Sequence, residues 1–146
     1  MPAHRFAEVR EALKGFELVV VGDGKAWPLT QSTLSMHRQT WVRERAGRPW
    51  RLDVFREPWD DDIWVFQRDT RIRLSAASLI SRTGDGIPYA RPEVVLLFKA
   101  KACRPKDELD LAATLPHLDA GRRTWLREAL ALVHPGHRWL EALAAS

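Results

Sequence analysis

The chain has 146 residues, 45% of them hydrophobic and 29% charged, with a formal net charge of +4, which suits one soluble globular domain with its own core. Its single cysteine, Cys103, excludes a disulfide scaffold and fits a reducing compartment, and no apolar run reaches the ~18 to 20 residues of a membrane span. The opening Met1-Pro2-Ala3-His4-Arg5-Phe6 carries no apolar signal block, so the expectation is a cytoplasmic protein, 1–146 as a single domain.

Along the chain, Pro2 to Gly15 reads as a helix, with Phe6, Val9 and Leu13 at helical spacing and Gly15 as its stop. Phe16 to Val21 reads as a strand closed by Gly22-Asp23-Gly24, which lacks the glycine spacing and following helix of a P-loop and is expected to be a plain turn. Leu34–Arg43, Trp50–Arg56 and Ile63–Arg68 then read as strands. Turn-forming residues at 45–49 and 57–62 join them, which predicts a run of antiparallel hairpins.

From Arg91 the pattern becomes helical. Pro92 and Glu93 open a helix expected to bury Val94, Val95, Leu97 and Phe98. Arg104-Pro105 ends it and starts another over 106–115. Asp119 is placed to cap a third helix through Trp125, Leu126, Leu130 and Val133, stopped by Pro135-Gly136, and a short helix over 137–144 closes the chain. Hairpins over 1–90 followed by helices over 91–146 predict an α+β fold.

The charge excess is small, 23 basic against 19 acidic residues. Its one dense patch (Arg38, Arg43, Arg45, Arg48, Arg51) is either a solvated hairpin edge or a seat for a phosphate-rich ligand; a basic nucleic-acid-binding module rests on charge alone. Nucleophile-elbow, zincin and Cys-x-x-Cys motifs are missing. The seven tryptophans are scattered and expected mostly in or beside the core. His134 and His137 read as part of a helix-ending turn, and Cys103 as a buried small residue.

Two features stand out. Alternation in Trp50-Arg51-Leu52-Asp53-Val54-Phe55 puts Asp53 on a strand, where aspartate is disfavoured. Farther on, Lys99 precedes Lys106-Asp107-Glu108-Leu109-Asp110, in which Asp107 and Asp110 share a helix face and Lys106 can reach Asp110 one turn later. Ordinary helix-start electrostatics accounts for such a pattern as well.

These segments, together with Pro92-Glu93-Val94-Val95-Leu96-Leu97-Phe98-Lys99-Ala100-Lys101, Trp64-Val65-Phe66-Gln67-Arg68-Asp69 and Val133-His134-Pro135-Gly136-His137, resemble bacterial nucleotidyltransferase-fold proteins of the aminoglycoside adenylyltransferase type. The resemblance implies an incomplete polymerase β-like fold. It also implies transfer of a nucleoside monophosphate from a nucleoside triphosphate to a hydroxyl of a small acceptor, with carboxylates holding Mg²⁺. On that basis Asp53 matches the family's third metal carboxylate. Lys99 and Asp107 are then expected in catalytic roles, and Lys106, Asp110 and Arg51 in substrate binding.

The family's Gly-Gly or Gly-Ser segment and its strand bearing Asp-x-Asp normally precede the helix that starts here at Pro2. Neither is found, and Asp60 to Asp62, the one Asp-x-Asp in the chain, falls in a hairpin loop. One carboxylate holds Mg²⁺ weakly, so the expectation is a shortened or incomplete relative, inactive as a transferase alone. Without those first strands, the segment 16–21 is expected to form an unpaired sheet edge that promotes self-association.

Overall fold

The structure, a computed structural model, describes residues 1–144. It is an α+β protein with antiparallel sheets and helices toward the carboxyl end, as the order of sequence patterns predicts. The chain divides into two compact units, Met1–Gln67 and a second that begins at Arg68.

The first unit opens with a 3-10 turn (Ala3–Arg5) and helix α1 (Phe6–Ala12), which buries Phe6. Strand β1 (Glu17–Gly22) turns back into β2 (Lys25–Trp27) through Asp23 and Gly24, at φ 52° and 71°. Two successive positive φ values are what the commonest two-residue hairpin needs, and Asp-Gly supplies them cheaply.

The segment Leu34–Arg43 is not one strand. Its first part belongs to helix α2 (Gln31–Met36), and only β3 (Gln39–Arg43) is extended. The cause is local: Thr30 Oγ1 accepts the Thr33 amide and Thr33 Oγ1 accepts the Thr30 amide, so a reciprocal cap nucleates a helix.

Strand β4 (Leu52–Phe55) completes a sheet of order β2-β1-β3-β4, every pairing antiparallel. The hairpin expected between β4 and the 63–68 segment does not form. Instead β5 (Trp59–Asp60) and β6 (Ile63–Val65) pair with each other around Asp61, at φ 50°, with Trp59 opposite Trp64. The stretch between the two expected strands contains its own strand and a tight turn. A third correction concerns the sheet edge: β1 is interior, flanked by β2 and β3, and the edges of the sheet are β2 and β4.

Side chains alternate across this sheet. Val20, Thr40 and Val42 are fully buried on one face, each buried valine side chain being worth ~1.5 to 3 kcal/mol. Val19, Gln39, Trp41 and Asp53 belong to the other, where Val19 opposes Trp41 and Trp41 opposes Asp53.

The second unit begins with β7 (Arg73–Ser75), the single turn α3 (Ala76–Leu79) and a hairpin of β8 (Ile80–Arg82) with β9 (Pro88–Ala90). That hairpin occupies what the sequence suggests is only a connection. Helices α4 (Pro92–Ala100), α5 (Pro105–Thr114), α6 (Ala120–Val133) and α7 (Trp139–Ala144) follow. On α4 the buried residues are Glu93, Val94, Leu96, Leu97 and Ala100, whereas Val95 is 37% exposed. The inward stripe is therefore rotated by one residue from the expected one. Asp119 caps α6 as expected, its Oδ1 accepting the Arg122 amide at 2.9 Å, and Leu126, Leu130 and Trp139 are buried in this unit.

Candidate functional site

In the first unit Asp53 lies exposed on β4, an edge strand. Gln39 Nε2 donates to Asp53 Oδ2 at 2.6 Å. Beside the carboxylate, Trp41 packs against Trp50 with ring centroids 5.4 Å apart, and the Arg43 guanidinium sits 4.3 Å from the Trp50 centroid, within range of a cation–π contact. Arg43 is fixed from behind by two hydrogen bonds to Glu17, at 2.9 and 2.8 Å. Its pKa is raised by that pairing, and the Glu17 carboxyl is correspondingly lowered. Arg51 donates to Glu44 at 2.9 Å, so within the basic patch Arg43 and Arg51 have acidic partners.

The chain start contributes to the same edge. Met1 donates its ammonium to the Phe55 carbonyl at 3.0 Å, Glu57 donates its amide to the Met1 carbonyl at 2.9 Å, and Pro2 forms a parallel bridge with Glu57. Asp53 is the next residue of β4 whose backbone faces the same way as that of Phe55.

In the second unit Lys99, in the last turn of α4, approaches two carboxylates of α5. Its Nζ is 2.5 Å from Asp110 Oδ2 and 3.6 Å from Asp107 Oδ1. The hydrogen bond to Asp110 is the main cause of a raised Lys99 pKa. Asp107 is fully buried. It accepts the Arg104 backbone amide at 2.9 Å and the Arg104 Nε at 3.0 Å, which closes the first turn of α5. The guanidinium is the largest influence holding its carboxyl down to about 2.

Lys106 is exposed and does not take up the expected contact with Asp110, because Asp110 turns toward Lys99. Lys99 and Asp110 line a cleft of about 270 Å³ with Ala90, Pro92, Val95 and Leu96. The structure therefore brings Lys99, Asp107 and Asp110 together in one unit and places Asp53 and Arg51 in the other.

Several groups escape sequence reasoning. Glu108 is a node: it accepts from the Cys103 thiol at 2.8 Å, from Trp139 Nε1 at 2.9 Å, and from Arg138. Cys103 is half-buried at φ 46°, with its thiol pushed up chiefly by desolvation. Its neighbours Lys101, Arg104 and Lys106 in sequence give no sign of the partner Glu108. His137 Nδ1 accepts the Trp139 amide at 3.1 Å and Gly136 takes φ 79°, the helix-ending turn expected there. Arg56, in the first unit, is only 4% exposed; nothing in Phe55-Arg56-Glu57 announces a buried guanidinium.

Among the described residues no group of three or more His, Cys, Asp or Glu side chains stands close enough to hold a metal ion, and no helix is long and apolar enough to cross a membrane. Comparison with known protein families, curated proteins and solved structures finds no match for this chain.

Proposed function

We propose that the chain is a nucleotidyltransferase-like protein that retains a nucleotide-binding surface at Asp53 and does not itself carry out transfer. The observation that carries this reading is Asp53, an exposed carboxylate oriented by Gln39 next to the aromatic surface of Trp41 and Trp50. Such a surface suits a nucleoside: rings stack on indoles, and a carboxylate accepts hydrogen bonds from sugar hydroxyls or base amino groups.

The Mg²⁺ that the resemblance implies does not fit equally well. Two divalent ions need several converging carboxylates, and among the described residues Asp53 has no acidic companions of that kind. No transfer step is assigned to this chain on that account. In the second unit the cleft at Lys99 and Asp110 has the size and polarity for a small hydroxyl-bearing acceptor, with Asp110 as hydrogen-bond acceptor and Lys99 as donor. Asp107, buried and clamped by Arg104, sets the position of Lys99.

A basic nucleic-acid-binding surface is the less favoured reading, since Arg43 and Arg51 are already paired with Glu17 and Glu44. Titration calorimetry of the full chain with ATP in Mg²⁺ buffer tests the proposal. Binding that is lost in Asp53→Ala is the expected result; absence of heat at millimolar nucleotide overturns it.

A further inference from the structure

The first unit also buries a cation on the side of its sheet away from Asp53. Arg56 is 4% exposed, yet no carboxylate pairs with it among the described residues. Its NH1 donates to Thr40 Oγ1, its NH2 to the His37 carbonyl at 2.5 Å, and its guanidinium lies 4.6 Å from the Phe6 ring centroid. All three partners are neutral. A guanidinium offers five N–H donors, so these contacts leave hydrogen-bonding capacity unused and the charge uncompensated. Burial and the nearby Arg38 charge both act against the cation, in that order.

The surroundings add positive charge. Arg56 lines a cleft of about 310 Å³ with His4 and Arg10 from the amino-terminal helical segment, Ser35 from α2, and the apolar Phe6 and Leu34. Among the described residues no acidic side chain lines it. The acids nearest in sequence on α1 are taken up elsewhere: Glu8 is paired with Arg5 and Glu11 lies 3.7 Å from Lys14. Glu57, adjacent to Arg56, acts on the Met1 ammonium. Arg10 itself is exposed. Buried cations in proteins are ordinarily paired, and a fork of guanidinium donors matches a tetrahedral oxyanion.

We infer that this cleft is an anion seat for a phosphate group, with Arg56 as the buried anchor, Arg10 as a second cation at its exposed wall, and the His4 ring and the Ser35 hydroxyl as further hydrogen-bonding groups. It is distinct from the proposed nucleotide surface: Thr40, to which Arg56 is bound, lies on the face of the sheet opposite Asp53, because residues one apart in β3 point to opposite sides. The phosphate can be free or the head of a monoester, whose body would lie along Phe6 and Leu34.

The test is a titration of the isotope-labelled full chain with inorganic phosphate and, separately, with phenyl phosphate, at constant ionic strength set by chloride. The arginine Nε–Hε signals and the histidine ring signals are followed. The expected result is a saturable shift at Arg56, Arg10 and His4. Phenyl phosphate binding more tightly supports a seat for a monoester; equal affinities support a seat for free phosphate. Arg10→Ser, on the exposed side of α1, is expected to weaken binding at least about tenfold, the equivalent of one lost charge-assisted contact, while leaving the melting temperature unchanged. Arg56→Lys, which keeps the charge and removes the fork, is expected to weaken it further. No saturable shift at Arg56 with either anion, or equal affinity in wild type and Arg10→Ser, overturns the assignment. Neither outcome depends on whether ATP binds at Asp53.

Discussion

Gln39 and Asp53 do not face each other directly across the sheet: Gln39 is paired with Phe55, and Asp53 with Trp41. The hydrogen bond from Gln39 Nε2 to Asp53 Oδ2, at 2.6 Å, therefore runs along the diagonal between β3 and β4 and fixes one carboxylate oxygen while leaving the other to solvent. Asp53→Asn, on the exposed edge strand β4, is expected to change stability by no more than about 0.5 kcal/mol, and Gln39→Ala, half-buried on the interior strand β3, by no more than about 1 kcal/mol, both measured by denaturant unfolding. A loss several times larger in either variant would make the pair a structural element and remove it from a binding role.

Asp107 predicts an acid-sensitive corner in the second unit. Its carboxyl is held down to about 2, most strongly by Arg104, below the ordinary aspartate range. The unfolded chain therefore takes up this proton first as pH falls. The stability that the ionised group contributes is complete above about pH 4 and is lost as pH drops toward about 2. Asp69, paired with Arg71 and also held at about 2, loses its contribution in the same window. Urea unfolding of wild type and Asp107→Asn between pH 5 and pH 2 (approximate limits of the transition) is expected to show a shallower pH dependence in the variant, the remainder coming from Asp69 and from the other carboxylates held low by their partners, Glu8, Glu17 and Glu108. Identical slopes would contradict the assignment.

The helical part of the second unit gives a calibrated pair of variants. Asp119→Ala removes the side-chain acceptor of the Arg122 amide and is expected to cost about 1 kcal/mol. Leu130, with no exposed surface in the middle of this unit, is expected to cost ~2 to 5 kcal/mol as Leu130→Ala. Thermal melts that reverse this order would show that α6 is held by its cap more than by its buried face.

Strand β4 is an edge with Leu52 and Phe55 about half exposed. Edges of this kind template pairing with other chains, and concentration-dependent self-association is the expected behaviour in sedimentation velocity. Leu52→Lys, which adds an exposed charge to the edge, is expected to shift the profile toward monomer. A single monomeric boundary for the wild type at high concentration would contradict the prediction.

How far the sequence reports the fold depends on the range of the forces involved. The caps and stops that are local, such as Asp119 on α6, Pro105 on α5 and the Asp-Gly turn after β1, were all legible. The capping box of α2 was not, because Thr33 serves where Glu or Gln usually does, and its residues read equally well as strand. Pairing partners were less visible still. Nothing local says that Trp59 pairs with Trp64 instead of extending the β4 hairpin, or that β1 lies inside the sheet and β4 at its edge. For the site, alternation puts Asp53 on a strand and helical spacing puts Asp107 and Asp110 on one face of a helix, and in the structure both of these helical acids approach one partner. That partner is Lys99, supplied by another helix, and not Lys106. Arg56 and Glu108 were invisible for the same reason: burial and partners are set by contacts between distant segments.

The nucleotide surface at Asp53 is tested most directly by recording side-chain amide and indole resonances of the full chain during a titration with ATP in Mg²⁺ buffer. The account predicts saturable shifts at the Gln39 amide and at the Trp41 and Trp50 indoles in wild type, and their loss in Asp53→Ala with the rest of the spectrum preserved. Shifts confined to other residues, or the same shifts in Asp53→Ala, would contradict it.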